Sequence, residues 1–232
     1  MNKILSCLAL VIAATAGCSG VSNLGEGDGP IVVMEVERFR CAAEEGLGCG
    51  SRLAPALARL DQLPGVVESR TDWEGRHVLI RLAPDATVDD VVIRATRILG
   101  TGSRRLAGAA ESGQLASFRR GDPWMRSAET IRLSHHEASV LGARFARSAS
   151  DRAGLDDGQR RKLEAILTEE IGKLFEWMHA SGRDPEDVKK PDLKPTEHRI
   201  RNRCLEFASA AQTDAIIQDL SSAIGMCDEE NR

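Results

Sequence analysis

Residues 51–99 change hydrophobic period twice, and this constrains the fold more than any other feature. In "SRLAPALARLDQL", Leu53, Leu57, Leu60 and Leu63 recur at three- and four-residue spacing, which is one stripe of an amphipathic helix. Ser51 is the expected N-cap, Pro55 is expected near the first turn, and Pro64-Gly65 ends the run. The period then drops to two. "VVESRTDW" (66–73) and "RHVLIRL" (76–82) flank Glu74-Gly75, a β-hairpin pattern with Val78, Ile80 and Leu82 on one face. It returns to helical spacing in "TVDDVVIRATRIL" (87–99), through Val88, Val91, Val92, Ala95, Ile98 and Leu99. Thr87 with Asp90 is the expected capping pair, and Gly100 the stop. Upstream, Val32, Met34 and Val36 alternate with Glu35 and Glu37 in a half-buried strand over 31–39. The order strand, helix, strand, strand, helix predicts a small α+β module over 30–100.

After Gly100 the pattern fades. Residues 101–132 hold few bulky apolar side chains and no sustained period, so they read as linker, with Trp124 as a packing anchor. A fourth strand has only weak candidates, "QLASF" (114–118) and the stretch near "TIRL" (130–133). Residues 133–232 return to helical spacing and predict an all-α bundle. Ser134 with Glu137 has the form of a capping box, followed by a stripe of Val140, Leu141 and Phe145. The strongest helix, 155–182, carries Leu163, Ile166, Leu167, Ile171, Leu174, Phe175 and Met178. Two shorter helices follow over 196–211 and 213–224. His135, His136 and Glu137 lack the i, i+4 histidine spacing of a helical metal site and read as solvated residues at a helix start.

The N-terminus says where such a chain resides. "MNKILSCLALVIAATAGC" has one Lys, an apolar run from Ile4 to Ala16 and then small residues. The run is shorter than the roughly 20 residues that span a bilayer, and its layout is that of a secretory signal peptide over 1–17. "TAGC" resembles the bacterial lipobox. That resemblance implies that Cys18 is acylated and becomes the first residue of an envelope lipoprotein anchored in the bilayer. Ser19, not Asp, follows it, which implies the outer membrane facing the periplasm over the inner one. Residues 18–29 then read as the lipidated cysteine and a Gly-, Ser- and acid-rich tether. The formal charge of −4 becomes −5 once Lys3 leaves with the signal. With no tyrosine and no basic patch interleaved with aromatics, a nucleic-acid partner is not expected.

Outside the signal and the lipobox, four cysteines remain: Cys41, Cys49, Cys204 and Cys227. In an oxidising compartment they are expected as disulfides, and of the three pairings the local one, Cys41–Cys49 with Cys204–Cys227, is favoured. Soft-metal thiolates at Cys41 and Cys49 are the alternative.

The segments "ALARLDQLPGVV", the following hairpin and "LAPDATVDDVV" resemble the ferredoxin-like heavy-metal-associated domain. The resemblance covers residues 31–100 and implies a βαββα(β) module. That family binds a soft cation through Cys-x-x-Cys before its first helix. Here "CGSR" stands in that place, with Cys49 near the first family cysteine and Arg52 near the second. The scaffold is therefore expected without the metal site. "LDDGQRRKLEAIL" resembles the helix start of periplasmic helical chaperones and metal-stress sensors, with Asp156 where their Thr stands. The chain has no phosphate-binding glycine loop, no Gly-x-Ser-x-Gly and no His-Glu-x-x-His. The expectation is a non-catalytic binding or assembly lipoprotein, not an enzyme, with no cofactor. Its partner would be an envelope protein held on an open sheet face or on the helical half. Metal handling or metal-stress sensing through Cys41 and Cys49 is the competing expectation.

Overall fold

The computed structural model describes residues 29–41, 44–182 and 193–229, with side chains up to residue 220. The expected signal peptide, Cys18, nearly all of the tether and the Cys227 side chain lie outside the described residues. The fold is mixed α/β, with a four-stranded antiparallel sheet and, among the described residues, seven α-helices.

The strands are β1 (Ile31–Glu35), β2 (Val66–Thr71), β3 (His77–Leu82) and β4 (Arg104–Arg105), in the order β2-β3-β1-β4. β1 pairs with β3 in the register Val32↔Ile80 and Met34↔Val78, so the alternating apolar residues of both strands share a face. Two helices cover that face: α1 (Gly50–Asp61) with Leu53, Leu57 and Leu60, and α2 (Val88–Leu99) with Val91, Ala95 and Leu99. All six are essentially buried, as the leucine and valine periods require. The β2–β3 turn closes as expected around Gly75, which adopts φ 65°. Asp72 secures it by accepting hydrogen bonds from the backbone N–H groups of Arg76 and His77.

Several local expectations are corrected. α1 begins at Gly50 with Cys49 as its N-cap, not Ser51, so Pro55 lies inside the helix. Thr87 caps α2 by position only, without a side-chain hydrogen bond. The segment expected as linker holds β4 and a helix, α3 (Gly108–Arg120). "QLASF" lies within α3, and Ile131 begins the next helix, so neither weak candidate is the fourth strand. α3 closes the sheet's second face, where Val33 and Leu79 are fully buried. Gln114 reaches His77 at 3.5 Å, and the Phe118 ring lies under the Arg70 guanidinium at 5.5 Å. The open sheet face expected as a docking surface is therefore covered. Trp124 is the packing anchor it reads as: it is buried, and its ring meets Phe118 edge-on.

The helical half consists of α4 (Ile131–Ala153), α5 (Asp157–Ser181), α6 (Lys194–Cys204) and α7 (Ala210–Glu229). α4 starts earlier than its sequence suggests. A 3-10 turn over Ser127–Thr130 leads into it, with the Glu129 carboxylate accepting from the Arg126 N–H at 2.8 Å. The Ser127 hydroxyl ties this turn to α1 by donating to the Ala54 carbonyl. Ser134 and Glu137 thus lie inside the helix and form no capping box. The real box belongs to α5: Asp156 accepts from the Gln159 N–H, and the Gln159 side chain accepts from the Asp156 N–H. Asp156→Ala is expected to cost about 1 kcal/mol. Urea denaturation with an unchanged m-value would read this as a lower midpoint.

Candidate functional site

The cysteine loop is a small ladder of its own. Cys41 N–H donates to the Leu47 carbonyl, Cys49 N–H donates to the Phe39 carbonyl, and Arg40 bridges Gly48. This register puts Cys41 opposite Leu47 and Cys49 opposite Phe39, with all four on one face. The loop is pressed against the β2–β3 turn, where Gly48 N–H donates to the Trp73 carbonyl. A Cβ on Gly48 would stand 2.9 Å from the Gly75 Cα, so the close approach requires glycine on the loop side.

α4 crosses this face, and Glu137 projects into it. Glu137 is 8 % exposed, and its carboxyl faces the thiols of Cys41 and Cys49, both of which pull its pKa down. Its Oε2 atom has no hydrogen-bond partner in the structure. Arg52, one turn into α1, is the nearby cation, and Cys49 Sγ also lies 3.4 Å from the Ser51 hydroxyl. Burial pushes the Glu137 carboxyl above its ordinary range, against the opposing pull of the two thiols and Arg52. Burial and the Glu137 charge likewise push the Cys49 thiol up, although it sits at a helix N-terminus. Both effects hold the Cys49 thiol protonated at neutral pH.

Cys41 and Cys49 stand as separate thiols, not as the expected disulfide. The ladder explains this. The two are diagonal neighbours on one face, and such Cβ atoms lie roughly 7 Å apart, against about 4 Å in a disulfide. Cys204 is also a thiol, fully buried on α6, and burial raises its pKa to about 11.

The arrangement has two consequences that can be measured. Because the folded state raises the Glu137 pKa, it binds that proton more tightly than the unfolded chain. Stability is then greatest below the unfolded carboxyl pKa and falls as pH rises towards the folded value. Glu137→Gln is expected to raise Tm at pH 7 and to remove that part of the acid-side slope. It should also speed alkylation of Cys49 by iodoacetamide, because the negative charge that disfavours the thiolate is gone.

The histidines and Glu68 are held by local partners. His135 and His136 are exposed, facing Glu176 and Glu44 at 3.2 and 3.0 Å. Ser134 lies 3.0 Å from His179 Nε2, a nucleophile-and-base spacing, but Ser134 is fully buried and its hydroxyl meets no solvent. His77 Nδ1 is held by Asp72 at 2.6 Å. Glu68 is flanked by Arg70, Arg81 and Arg126, and although burial pushes its carboxyl up, these arginines outweigh it and lower the pKa.

A second feature lies in the helical half. Leu141 and Phe145 of α4, Ile171, Leu174 and Phe175 of α5 and Ile200 of α6 line an apolar cavity of about 410 Å³. Glu170, Thr196 and Glu197 supply polar atoms to its lining. Glu170 is itself buried and held by Arg199 at 2.7 Å and Lys173 at 3.0 Å. The expected inward stripe of α4 is thus corrected: Leu141 and Phe145 are half-buried and face this groove. The buried face of α4 is made by small residues instead, Ala138, Gly142, Ala146 and Ala149, with Gly142 directly against Thr168 of α5.

No known protein family, curated protein or solved structure matches this chain.

Proposed function

We propose that this chain is an envelope lipoprotein, anchored through acylated Cys18, whose helical half binds an amphipathic helix of a partner protein without catalysing a reaction. The anchoring half of the reading rests on the signal-like N-terminus and "TAGC". Ser19 favours the outer membrane, facing the periplasm. The binding half rests on the groove between α4, α5 and α6, whose bulky lining stays half-exposed. Its volume falls in the range of about 300–1,000 Å³ that accepts small apolar groups. Leu and Ile side chains on one helix face, spaced by a turn, would fill it. Glu170 is already neutralised by Arg199 and Lys173, which leaves exposed Glu197 at the rim to favour a cationic residue flanking that face. The order βαββαβ and the sheet order β2-β3-β1-β4 support reading residues 30–106 as a ferredoxin-like module. In this reading that module is a scaffold.

Two experiments test the halves separately. Cys18→Ser should move the protein from the membrane fraction to the soluble envelope fraction; unchanged membrane association would overturn the anchor. A photo-cross-linker in place of Leu174 should give one discrete heavier adduct in cells, which Ile171→Asp abolishes. The same reagent at exposed Arg147 should not give it. No adduct at 174, or the same adduct from 147, would overturn the groove as the binding surface.

The metal-handling reading through Cys41 and Cys49 gains one observation, the buried Glu137 carboxyl on the same face of the loop. Against it, no group of three His, Cys, Asp or Glu side chains among the described residues is arranged to hold a metal ion.

A further inference from the structure

We infer that Cys41 and Cys49 form a reversible dithiol–disulfide pair, and that its closure releases Glu137 and loosens α4 from the cysteine loop. The inference uses the envelope reading only for the presence of an oxidant; the chemistry belongs to the loop itself.

Three observations carry it. The pair shares one face of a two-strand ladder, so closure needs that ladder to shear by about 3 Å, a move confined to the loop. The two residues differ in exposure: Cys41 is buried and Cys49 is half-buried at the N-cap of α1. They also face one buried group from another element, the Glu137 carboxyl of α4, whose Oε2 has no hydrogen-bond partner. The reduced state is thereby coupled to the position of α4. Once the thiols are consumed, the S–H groups beside that already under-satisfied carboxyl are gone, and leaving it buried there costs more.

The chemistry balances with an external disulfide as oxidant. Cys49 loses its proton to water, and the resulting thiolate attacks one sulfur of the oxidant. That S–S bond breaks, and the first oxidant thiol leaves with a proton. Cys41 then attacks the Cys49 sulfur of the mixed disulfide, the second oxidant thiol leaves with the other proton, and the Cys41–Cys49 bond remains. Two electrons pass from the pair to the oxidant. Cys49 is the entry point because it is the more exposed residue of the two, and Cys41 is the resolving thiol. Cys204 takes no part, being fully buried on another helix.

The test is peptide-resolved differential alkylation of the full chain in detergent, across a series of oxidised and reduced glutathione ratios. Cys41 and Cys49 should pass together, at one midpoint, from alkylated thiols to one cross-linked peptide pair. Cys49→Ser should leave Cys41 alkylatable as a thiol throughout. In the oxidised protein, amide exchange in residues 131–139 should be about tenfold faster than in the reduced protein, with β3 unchanged. Glu137→Gln should narrow that difference, because the loss of the charged acceptor no longer accompanies closure. Cysteines that stay reduced at the most oxidising ratio, or that end as separate glutathione adducts, would overturn the proposal. So would protection of both thiols by added Zn(II) or Cu(I) with no cross-link at any ratio, which would move the site to the metal reading. None of these outcomes depends on Cys18 or the groove, so the pair can fail while the lipoprotein reading stands, and the reverse.

Discussion

Gly142→Val should destabilise the protein by about 3 kcal/mol, one of the two largest effects expected of a single substitution here. The reason is the distance between α4 and α5. A Cβ built on Gly142 stands 2.3 Å from Thr168 Oγ1, 2.9 Å from the Thr168 backbone nitrogen and 3.0 Å from its Cα. The hydroxyl can rotate away, but the backbone cannot, so the helices must separate. Separation would unpack Ala146 and Ala149 on α4 from Leu163, Ile166 and Leu167 on α5. For a chain of this size the Tm should fall by roughly 6–12 °C. Gly142→Ala is the finer test. Alanine gains about 1 kcal/mol of helix propensity over glycine, yet its Cβ meets the same backbone atoms. A net loss is expected, and Thr168→Ala should recover only part of it. A rise in Tm for Gly142→Ala would mean that the two helices are not held at this distance.

That contact also shows which parts of the fold could be read from the sequence. α1, the β2–β3 hairpin and α2 were legible because bulky leucines, valines and isoleucines mark their buried faces at the period of each element. α4 was not, because its buried face is built from Ala, Gly and Ser, which carry almost no hydropathy signal and are buried by close approach. The bulky Leu141 and Phe145 drew the expected stripe to the groove side instead. α3 has no buried residue of its own, so a period search finds nothing there, although the helix closes the second face of the sheet. β4 is two exposed arginines, too short for any alternation. At the candidate site, Cys41 and Cys49 were legible as a pair. Their third member was not. Ser134 and Glu137 have the spacing of a capping box, and only the earlier start of α4, set by Glu129 and the Ser127 tie to α1, turns Glu137 inward. A carboxylate one turn from a fully buried serine, on a helix face of small residues, is the signal that could have singled it out.

Arg152→Ala carries the other large effect, and it bears on the groove. Asp219 of α7 is 3 % exposed and is paired with Arg152 of α4 at 2.5 Å, while its second oxygen has no hydrogen-bond partner. Arg152 is 61 % exposed, so removing it leaves no cavity but strands a buried carboxylate. Stranding such a group costs about 3 kcal/mol, far more than an exposed ion pair contributes. Asp219 lies between Ile216 and Leu220, and Leu220 and Ile217 form the α7 wall of the groove. The substitution should therefore also weaken any cross-link formed from position 174. Asp219→Asn in the Arg152→Ala background separates the two explanations, because it removes the stranded charge and keeps the shape. The double variant should be more stable than Arg152→Ala alone, and urea denaturation of the four proteins in the cycle gives the coupling directly. An Arg152→Ala midpoint equal to wild type would mean that water already satisfies Asp219 and that α7 is held by its apolar side chains alone.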